Sequence, residues 1–445
     1  MVGAAAVAAG CQTTKGAKGP RKLSANDTIN VAAIGSGGKG KTDITESQKA
    51  GANVVALCDV DERSAAEMRA KYPNAKFYRD FREMLEKQKD IDAVTVSTPD
   101  HMHYPASLMA IKMGKHVYCQ KPLTHTVEEA RTLAKASVDY KVVTQMGNQG
   151  HAGNGVRELC EMVWSGVIGQ IKECHIWTNR PIWPQGLNRP EGSDPVPANL
   201  DWDMWLGPAP ARPFVSIHPV TQKNCYHPFV WRGWWDFGCG ALGDMACHIA
   251  DPANWALKLS TVNPTSIEVV SQEGTTTEQA PNKSVLKYTF PARDGQNPVT
   301  VFWYDGGNLP PRPEGVAPET VIGEGDNGSL FIGEKGAICA NTYGENPRLL
   351  PESLMKDYKK PGESIPRIPD ENPYGEWINA IRTGTLPGSN FGYAGPFTEW
   401  ILLGNLALRA GKSLQWDSST LSVTNAPEAN QWVRKEYRKG WDIKL

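Results

Sequence analysis

Short apolar runs alternate with helix-like stretches from residue 29 to about residue 150, and this pattern limits the fold more than any other feature of the sequence. The runs are VAAI, ANVVALC, IDAVTV, HVYC and VVTQM, and each is followed by a turn and a polar or amphipathic stretch. Strands that alternate with helices in this way form a parallel sheet with helical crossovers. The sequence therefore predicts a doubly wound α/β domain over residues 29–150.

The pattern changes after residue 150. Strand-like runs such as KECHIWTN, SVLKYTFPA and PVTVFWYDGG are joined by polar connections and by long loops rich in Pro, Gly and Trp. Two amphipathic helices, NPYGEWINAIRTG and FTEWILLGNLALRAGK, come near the end of the chain. We predict that residues 151–445 form a second α/β domain on an open, largely antiparallel sheet, with helices at its C-terminal end.

The composition excludes several classes of protein. The formal net charge of -1 gives no reason to expect nucleic acid or an anionic membrane as a partner. Beyond the N-terminus, no stretch has the roughly 18 uninterrupted apolar residues of a membrane span. None of the nine cysteines forms a CxxC pair, which excludes zinc-ribbon and thioredoxin-type sites, and no metal centre is predicted.

Residues 1–28 differ from the rest of the chain. The apolar run MVGAAAVAAGC ends at Cys11 and a polar Gly/Lys-rich spacer follows, as in an export signal with a bacterial lipoprotein site. The basic residues that normally open such a signal are absent, so a plain disordered tail is the alternative. We expect an exported protein that is periplasmic or anchored by a lipid on Cys11, whereas a plain tail would make it cytoplasmic.

The first strand runs into the glycine turn GSGGKG, which has the pattern G-x-G-x-x-G and opens a helix. Glycines here let the backbone approach a pyrophosphate, whose charge is stabilised by the helix N-terminus. Asp59 ends the second strand roughly 20 residues later, where a carboxylate binds the ribose hydroxyls. Because Val60 follows and not a cation, NAD is favoured over NADP. The cofactor contacts expected in the turn are Gly35, Ser36, Gly37, Gly38 and Gly40.

Lys121 lies at the end of a later strand, in the stretch VYCQKPLTHT. Open parallel sheets bind ligands beyond the carboxyl ends of their strands, so this lysine is expected beside the nicotinamide end of the cofactor. His103, in the preceding stretch STPDHMH, is a candidate cofactor contact, although a position at the start of a helix explains it equally well. The remaining cofactor contacts that we predict are Thr98, Pro99, His103 and Gln120.

Asp244 and His248 are four residues apart in GALGDMACH, so they share one face of a helix. A histidine with an ordinary pKa can take a hydroxyl proton as hydride leaves, and the aspartate can orient the imidazole or contact the sugar. On spacing alone, a surface or capping pair is the more common interpretation. Our hypothesis is that Lys121, Asp244 and His248 are the catalytic residues.

Together these motifs resemble the Gfo/Idh/MocA oxidoreductases, a family that includes glucose–fructose oxidoreductase and inositol dehydrogenase. The matching pieces, in family order, are the glycine turn, Asp59, STPDHMH, QKP and GALGDMACH. The resemblance implies a Rossmann domain followed by an α/β domain with an open sheet, and hydride transfer served by Lys121, Asp244 and His248. It also implies a dimer or tetramer formed through the open sheet face. One departure is Gln120, because the family usually has glutamate before the lysine.

Two further stretches, GNQGH and CYHPFVWRGWW, resemble exported members of the family that act on sugars. Their donors, acceptors and flat rings suit a polyol, although loop anchoring explains each residue equally well. The resemblance thus implies a carbohydrate or glycoside cleft lined by Asn148, Gln149, His151, Tyr226, His227, Trp231 and Arg232.

Three functions fit these predictions. The first is NAD-dependent oxidation or reduction of a secondary hydroxyl on a sugar or glycoside, with Lys121 and His248 handling the proton. The second is a glycoside hydrolase that oxidises a ring carbon transiently, eliminates the aglycone, adds water and reduces again. This second reaction needs an extra base, for which Tyr226, His227 and His151 are candidates. The third is a non-catalytic sugar-binding protein, which should have lost Lys121 or His248, and both are present.

Overall fold

The structure is a computed structural model that describes residues 19–21, 24 and 27–443. The N-terminal stretch that ends at Cys11, with its predicted export signal, lies outside the described residues. Among the residues that are described, no helix has the length and apolar character needed to cross a membrane. The cysteines of the described part are all buried and none forms a disulfide.

The N-terminal domain is built on six strands and five helices. The strands are β1 (Ile29–Ile34), β2 (Ala52–Cys58), β3 (Lys76–Tyr78), β4 (Ala93–Val96), β5 (His116–Cys119) and β6 (Thr144–Met146). The helices are α1 (Lys39–Lys49), α2 (Glu62–Lys71), α3 (Phe81–Lys87), α4 (His103–Lys112) and α5 (Val127–Asp139). All strand pairs are parallel, in the order β3-β2-β1-β4-β5-β6. The predicted doubly wound parallel sheet is therefore confirmed.

The centre of this sheet brings the carboxyl ends of its strands to one edge. Every residue of β4 and β5 is buried, as expected for parallel strands that are covered on both faces. After β5 the chain turns through Lys121 into α5, which begins with a capping box between Thr126 and Glu129. The segment that carries Lys121 is thus fixed at both ends by regular structure.

The C-terminal domain contains the remaining helices and strands. Its helices are α6 (Asn154–Trp164), α7 (Trp202–Leu206), α8 (Gly240–Ile249), α9 (Asp251–Ala256), α10 (Pro373–Thr383) and α11 (Phe391–Ala410). Its strands are β7 (Ile171–Trp177), β8 (Ser266–Glu273), β9 (Lys283–Phe290), β10 (Val299–Tyr304), β11 (Gly328–Gly333), β12 (Gly336–Ala340), β13 (Arg348–Leu350), β14 (Leu414–Asp417) and β15 (Ser422–Val423).

These strands form a second sheet in the order β13-β12-β11-β7-β10-β9-β8-β14-β15. Only β7 and β10 pair in parallel, and the other pairs are antiparallel, which confirms the predicted largely antiparallel sheet. Along β9 buried residues alternate with half-buried ones, so that one face of the sheet packs on helices. Helix α11 lies against that face, where Trp400 meets the rings of Tyr288 and Phe290 edge-on.

A long excursion between β7 and α8, residues 178–239, reaches back to the N-terminal domain, and we call it the cover segment. Its core is aromatic and includes Trp202, Trp205, Tyr226 and Phe237. Leu200 forms a β-bridge with Asp61 directly after β2, flanked by backbone hydrogen bonds on both sides. The cover segment therefore lies across the cleft between the two domains.

Candidate active site

Two glycines of the turn after β1 are packed too closely for side chains. Gly35 has a φ of 86°, and a Cβ on it would lie 2.6 Å from the carbonyl oxygen of Ser97. A Cβ on Gly40 would lie 2.0 Å from the carbonyl oxygen of Gly35, so only glycine fits. Gly38 precedes α1 without a side-chain cap, and a Cβ there would meet open space. The uncapped N–H groups of α1 beside this space fit a pyrophosphate.

Asp59 is fixed beside the glycine turn. Its Oδ2 accepts the backbone N–H groups of Ser36, at 2.9 Å, and Gly37, at 3.0 Å, and its Oδ1 accepts that of Asp61. Burial raises the pKa of Asp59, and these hydrogen bonds act in the opposite direction. The carboxylate is thus oriented at the end of β2, where the ribose is expected.

Lys121 forms a partly buried ion pair with Asp244 of α8. Its Nζ donates to Asp244 Oδ1 at 2.7 Å and to the backbone oxygen of the same residue at 2.8 Å. Arg232 of the cover segment donates its Nε to the same Oδ1 at 3.1 Å. Burial raises the pKa of Asp244, but the charges of Lys121 and Arg232 outweigh it and hold the pKa well below its usual value. Asp244 is therefore ionised and binds two cations.

His248 lies one turn after Asp244 and is also buried. Its Nδ1 has no hydrogen-bond partner among the described residues, and its ring meets Tyr343 edge-on at 5.1 Å. Burial, followed by the charge of Lys121, lowers the pKa of His248 to about 3. The imidazole is therefore neutral at physiological pH, and it lines the cleft.

Asp100 is a functional residue that the sequence analysis missed. It is buried at the end of β4, lines the cleft, and accepts the backbone N–H of Cys239 at 3.0 Å. Burial raises its pKa to about 7, and the charges of Lys121 and Arg232 act in the opposite direction. Because Cys239 directly precedes α8, Asp100 connects the start of this helix to the N-terminal domain. In the sequence, the only indication of this residue was the aspartate within the stretch STPDHMH.

Asp43 is a second residue that sequence reasoning missed. It is fully buried in α1, and Gln120 donates its Nε2 to Asp43 Oδ2 at 2.9 Å. The other donors to this carboxylate are Ser97 Oγ at 2.7 Å, Lys39 Nζ at 2.6 Å and the Tyr374 hydroxyl at 2.6 Å. This contact explains why glutamine suits position 120, because its amide can donate a hydrogen bond to the buried carboxylate that it faces. Nothing in the local sequence connects these two residues, which are far apart in the chain.

His103 does not reach the cleft. Its Nδ1 lies 2.7 Å from the carbonyl oxygen of Pro122 and its Nε2 lies 2.9 Å from that of Thr98. Burial lowers its pKa to about 4, whereas its contacts with the two carbonyl oxygens favour the protonated ring. The structure therefore places His103 between the ends of β4 and β5, where it positions the Lys121 segment instead of contacting the cofactor.

One cleft of about 670 Å³ contains both the glycine turn and the Lys121–Asp244–His248 group. The predicted site residues that line it are Gly35, Gly37, Gly38, Asp59, Thr98, Pro99, Gln120, Lys121, Gln149, His227, Trp231, Arg232, Asp244 and His248. Those that the structure places behind its walls are Ser36, Gly40, His103, Asn148, His151 and Tyr226.

Three predicted substrate residues are buried structural residues instead. His151 donates its Nδ1–H to Asp251 Oδ2 at 2.9 Å and stacks on Trp255 at 4.3 Å. Tyr226 packs in the aromatic core of the cover segment, and Asn148 bonds with the Ser389 hydroxyl. In GNQGH only Gln149 faces the cleft, because the chain turns through a short helical segment there.

The wall of the cleft beside Lys121, Asp244 and His248 is aromatic and basic. The guanidinium carbon of Arg232 lies 4.3 Å from the Trp231 ring centre, 4.4 Å from that of Phe229 and 5.8 Å from that of Trp183. Arg180, which follows β7, lines the same cleft. Trp183, Phe229 and Arg180 could not be predicted from the local sequence, because their place on the wall depends on how the cover segment folds back. Flat rings beside polar groups suit the two faces of a sugar ring.

The chain was compared with known protein families and structures. Residues 29–148 match a family described as "Oxidoreductase family, NAD-binding Rossmann fold", and residues 156–310 match its "C-terminal alpha/beta domain". The D-glucoside 3-dehydrogenase of Escherichia coli is 31% identical over 188 residues, which are 39% of this chain and 52% of that protein. The inositol 2-dehydrogenase of Burkholderia multivorans is 32% identical over 247 residues, or 54% of this chain and 66% of that protein.

The alignments thus span about half to two thirds of these relatives. The fold is shared with the WlbA dehydrogenase of Bordetella pertussis, solved with NADH and UDP-GlcNAcA. That structure is 16% identical with a TM-score of 0.60, and the match covers 88% of this chain and 99% of that one. Since both domain models match in sequence order over an NAD-binding sheet and an open sheet, the chain belongs to the Gfo/Idh/MocA oxidoreductase family.

Proposed function

We propose that this chain is an NAD-dependent dehydrogenase that acts on a secondary hydroxyl of a sugar or glycoside. The observation that carries the proposal is the single cleft that joins the glycine turn to Lys121, Asp244 and His248. The names of the two aligned relatives, a glucoside dehydrogenase and an inositol dehydrogenase, support a polyhydroxylated ring as the substrate.

The residues of the cleft would have distinct roles in the reaction. Asp244, which also binds Arg232, fixes the position of Lys121, and the lysine side chain lines the cleft. His248 is neutral and lines the cleft, so its imidazole is in the form that can accept the hydroxyl proton during oxidation. Bound NAD supplies the hydride acceptor, and the glycine turn, Asp59 and Gln120 would hold it.

Product analysis in heavy water tests this function. Purified protein with NAD and a panel of alkyl and aryl glycosides should yield NADH together with a keto-glycoside. Lys121→Met should lower turnover roughly 10²- to 10⁴-fold, because the proton-handling group is lost. Lys135→Met is the matched control, since Lys135 lies on α5 and pairs with Asp139 on the surface. The proposal fails if no sugar produces NADH, or if Lys121→Met retains full activity.

A second candidate function is glycoside hydrolysis by transient oxidation. Of the three bases suggested for it, only His227 lines the cleft, where its Nε2 lies 3.0 Å from Asp61 Oδ2. Such a base would remove the carbon-bound proton made acidic by the neighbouring ketone. The same experiment distinguishes the two functions, because hydrolysis would release free sugar with deuterium on a ring carbon and no net NADH.

Two further proposals concern the oligomeric state of the protein and its location in the cell. We propose that copies associate through the open face of the second sheet, where Phe302 is only half-buried; sedimentation analysis would test this. We also propose that the protein is exported and that Cys11 carries a lipid, which mass spectrometry of the mature N-terminus would test.

A further inference from the structure

The substrate end of the cleft has an excess of positive charge. Three cations, Lys121, Arg180 and Arg232, line it, and the carboxylates that line the same region are Asp100 and Asp244. Lys121 and Arg232 both bind the single Oδ1 of Asp244. The excess is present whether or not Asp100 is ionised. A site of this kind attracts a negatively charged ligand, and the aromatic wall strengthens the attraction by excluding water.

Arg180 is the cation responsible for this excess. Three arginines line the cleft, and two of them have carboxylate partners: Arg79 pairs with Glu62 and Arg232 with Asp244. Within residues 27–443, no acidic side chain pairs with Arg180, whose Nη1 donates to the side-chain oxygen of Asn179. Its Nε and Nη2 form the other edge of the guanidinium. That edge presents two parallel N–H donors, the geometry that matches a planar carboxylate.

The position of Arg180 is fixed by its backbone and not by an ion pair. It follows β7, and its carbonyl oxygen accepts the N–H of Gly306 at 2.7 Å. Trp183 lies three residues further on, and its ring is 5.9 Å from that of Phe229 and 5.8 Å from the guanidinium carbon of Arg232. Arg180 therefore belongs to the wall that adjoins the Arg232–Asp244 pair. A sugar whose reacting carbon faces His248 would present another substituent to this wall.

Resting on the function proposed above, we propose that the substrate is an acidic sugar whose carboxylate binds Arg180, and that Arg180 selects uronic acids or their glycosides over neutral sugars. The neutral aromatic rings would accommodate either class of sugar. The charge of the substituent is what Arg180 distinguishes.

Calorimetry on the NADH-loaded protein tests the proposal without requiring turnover. The ligands are the methyl glycosides of glucose and of glucuronic acid in both anomers, which differ only at the exocyclic carbon. We expect the glucuronide to bind at least about tenfold more tightly than the glucoside, and the preference to shrink as salt is added. Arg180→Gln should weaken glucuronide binding roughly 10- to 100-fold and leave glucoside binding unchanged. Arg180→Lys should retain part of the preference.

The control is Arg189→Gln, because Arg189 is a partly exposed arginine of the cover segment that pairs with Glu278 away from the cleft lining. Equal affinity for the two glycosides, binding of neither, or an equal loss for both in Arg180→Gln would overturn the proposal. Tighter binding of a glucoside 6-sulfate than of the glucuronide would overturn the assignment of a carboxylate. NADH formation measured in parallel keeps the two proposals distinct, since a glucuronide that binds selectively but is not oxidised contradicts only the dehydrogenase.

Discussion

Gln120 shows how a single residue adapts to a neighbour that is distant in sequence. Its amide nitrogen donates to the buried carboxylate of Asp43, and a Cβ on Gly147 would lie 2.6 Å from that nitrogen, so the amide has no room to move away. The family resemblance leads one to expect glutamate at this position. A glutamate would place two carboxylates in contact inside the protein, which is unfavourable unless one of them binds a proton.

We therefore predict that Gln120→Glu lowers the free energy of unfolding by about 3 kcal/mol, because a buried negative charge loses its donor. Asp43→Asn in the same chain should restore most of this loss. The amide that this second substitution introduces keeps an oxygen for Lys39 and Tyr374 and presents its nitrogen to the new carboxylate. Urea unfolding of the two single variants and the double variant measures the coupling between the positions. Additive effects in this cycle would contradict the pairing.

At the scale of elements, α8 is connected to the N-terminal sheet through Asp100. Burial raises the pKa of this carboxyl to about 7, above the value of about 4 expected in the unfolded chain. The folded protein therefore binds this proton more tightly than the unfolded chain does. The contribution to stability is fully present below pH 4 and is lost as the pH rises to about 7. Lys121, Arg232 and Asp244 are the charged groups around it.

Asp100→Asn should remove this pH dependence, because the amide does not titrate and its oxygen can still accept the N–H of Cys239. Between pH 5 and 7, the unfolding free energy of the variant should rise relative to the wild type by about 1 kcal/mol per pH unit. Urea unfolding at several pH values measures the difference. Asp305 also has a pKa raised to about 7 by burial, so its contribution cancels in the comparison. Parallel curves for the two proteins would show that Asp100 does not titrate in this range.

The elements themselves were largely predictable, and much of the site was not. Apolar runs of strand length that alternate with helical patterns indicate a parallel sheet. The first sheet, and the positions of Lys121 and Asp59 at the ends of its strands, could therefore be predicted from the local sequence. Asp244 and His248 share a helix face for the same reason. His151 and Gln149 are two residues apart, yet only Gln149 faces the cleft. The side of this turn that faces the cleft is decided by contacts with residues distant in sequence. His151 is held away from the cleft by Asp251 and Trp255, and no local sequence pattern indicates these contacts.

At the scale of the whole molecule, the cover segment fastens the second domain to the end of β2. Asn199 donates its Nδ2 to Asp61 Oδ1 at 2.6 Å, and His227 lies 3.0 Å from Asp61 Oδ2. Backbone hydrogen bonds join Glu62 to Asn199 and Asp201 to Val60. Asp59, which is oriented toward the expected ribose site, lies directly before this contact. A cofactor in the cleft would thus be enclosed at its ribose end by the second domain.

Loosening this contact should weaken cofactor binding without changing the chemistry. Asn199→Ala removes a hydrogen bond to a buried carboxylate, so we expect NAD affinity to fall roughly tenfold while kcat stays within about twofold. His227→Ala should weaken NAD binding to a similar extent. His218→Ala is the matched control, because the hydrogen bonds that the structure describes for the His218 ring stay within the cover segment, with the backbone of Asn188 and Val220. Titration of tryptophan fluorescence with NAD measures the affinities. Unchanged NAD affinity in Asn199→Ala would mean that the contact holds the domains together but does not retain the cofactor.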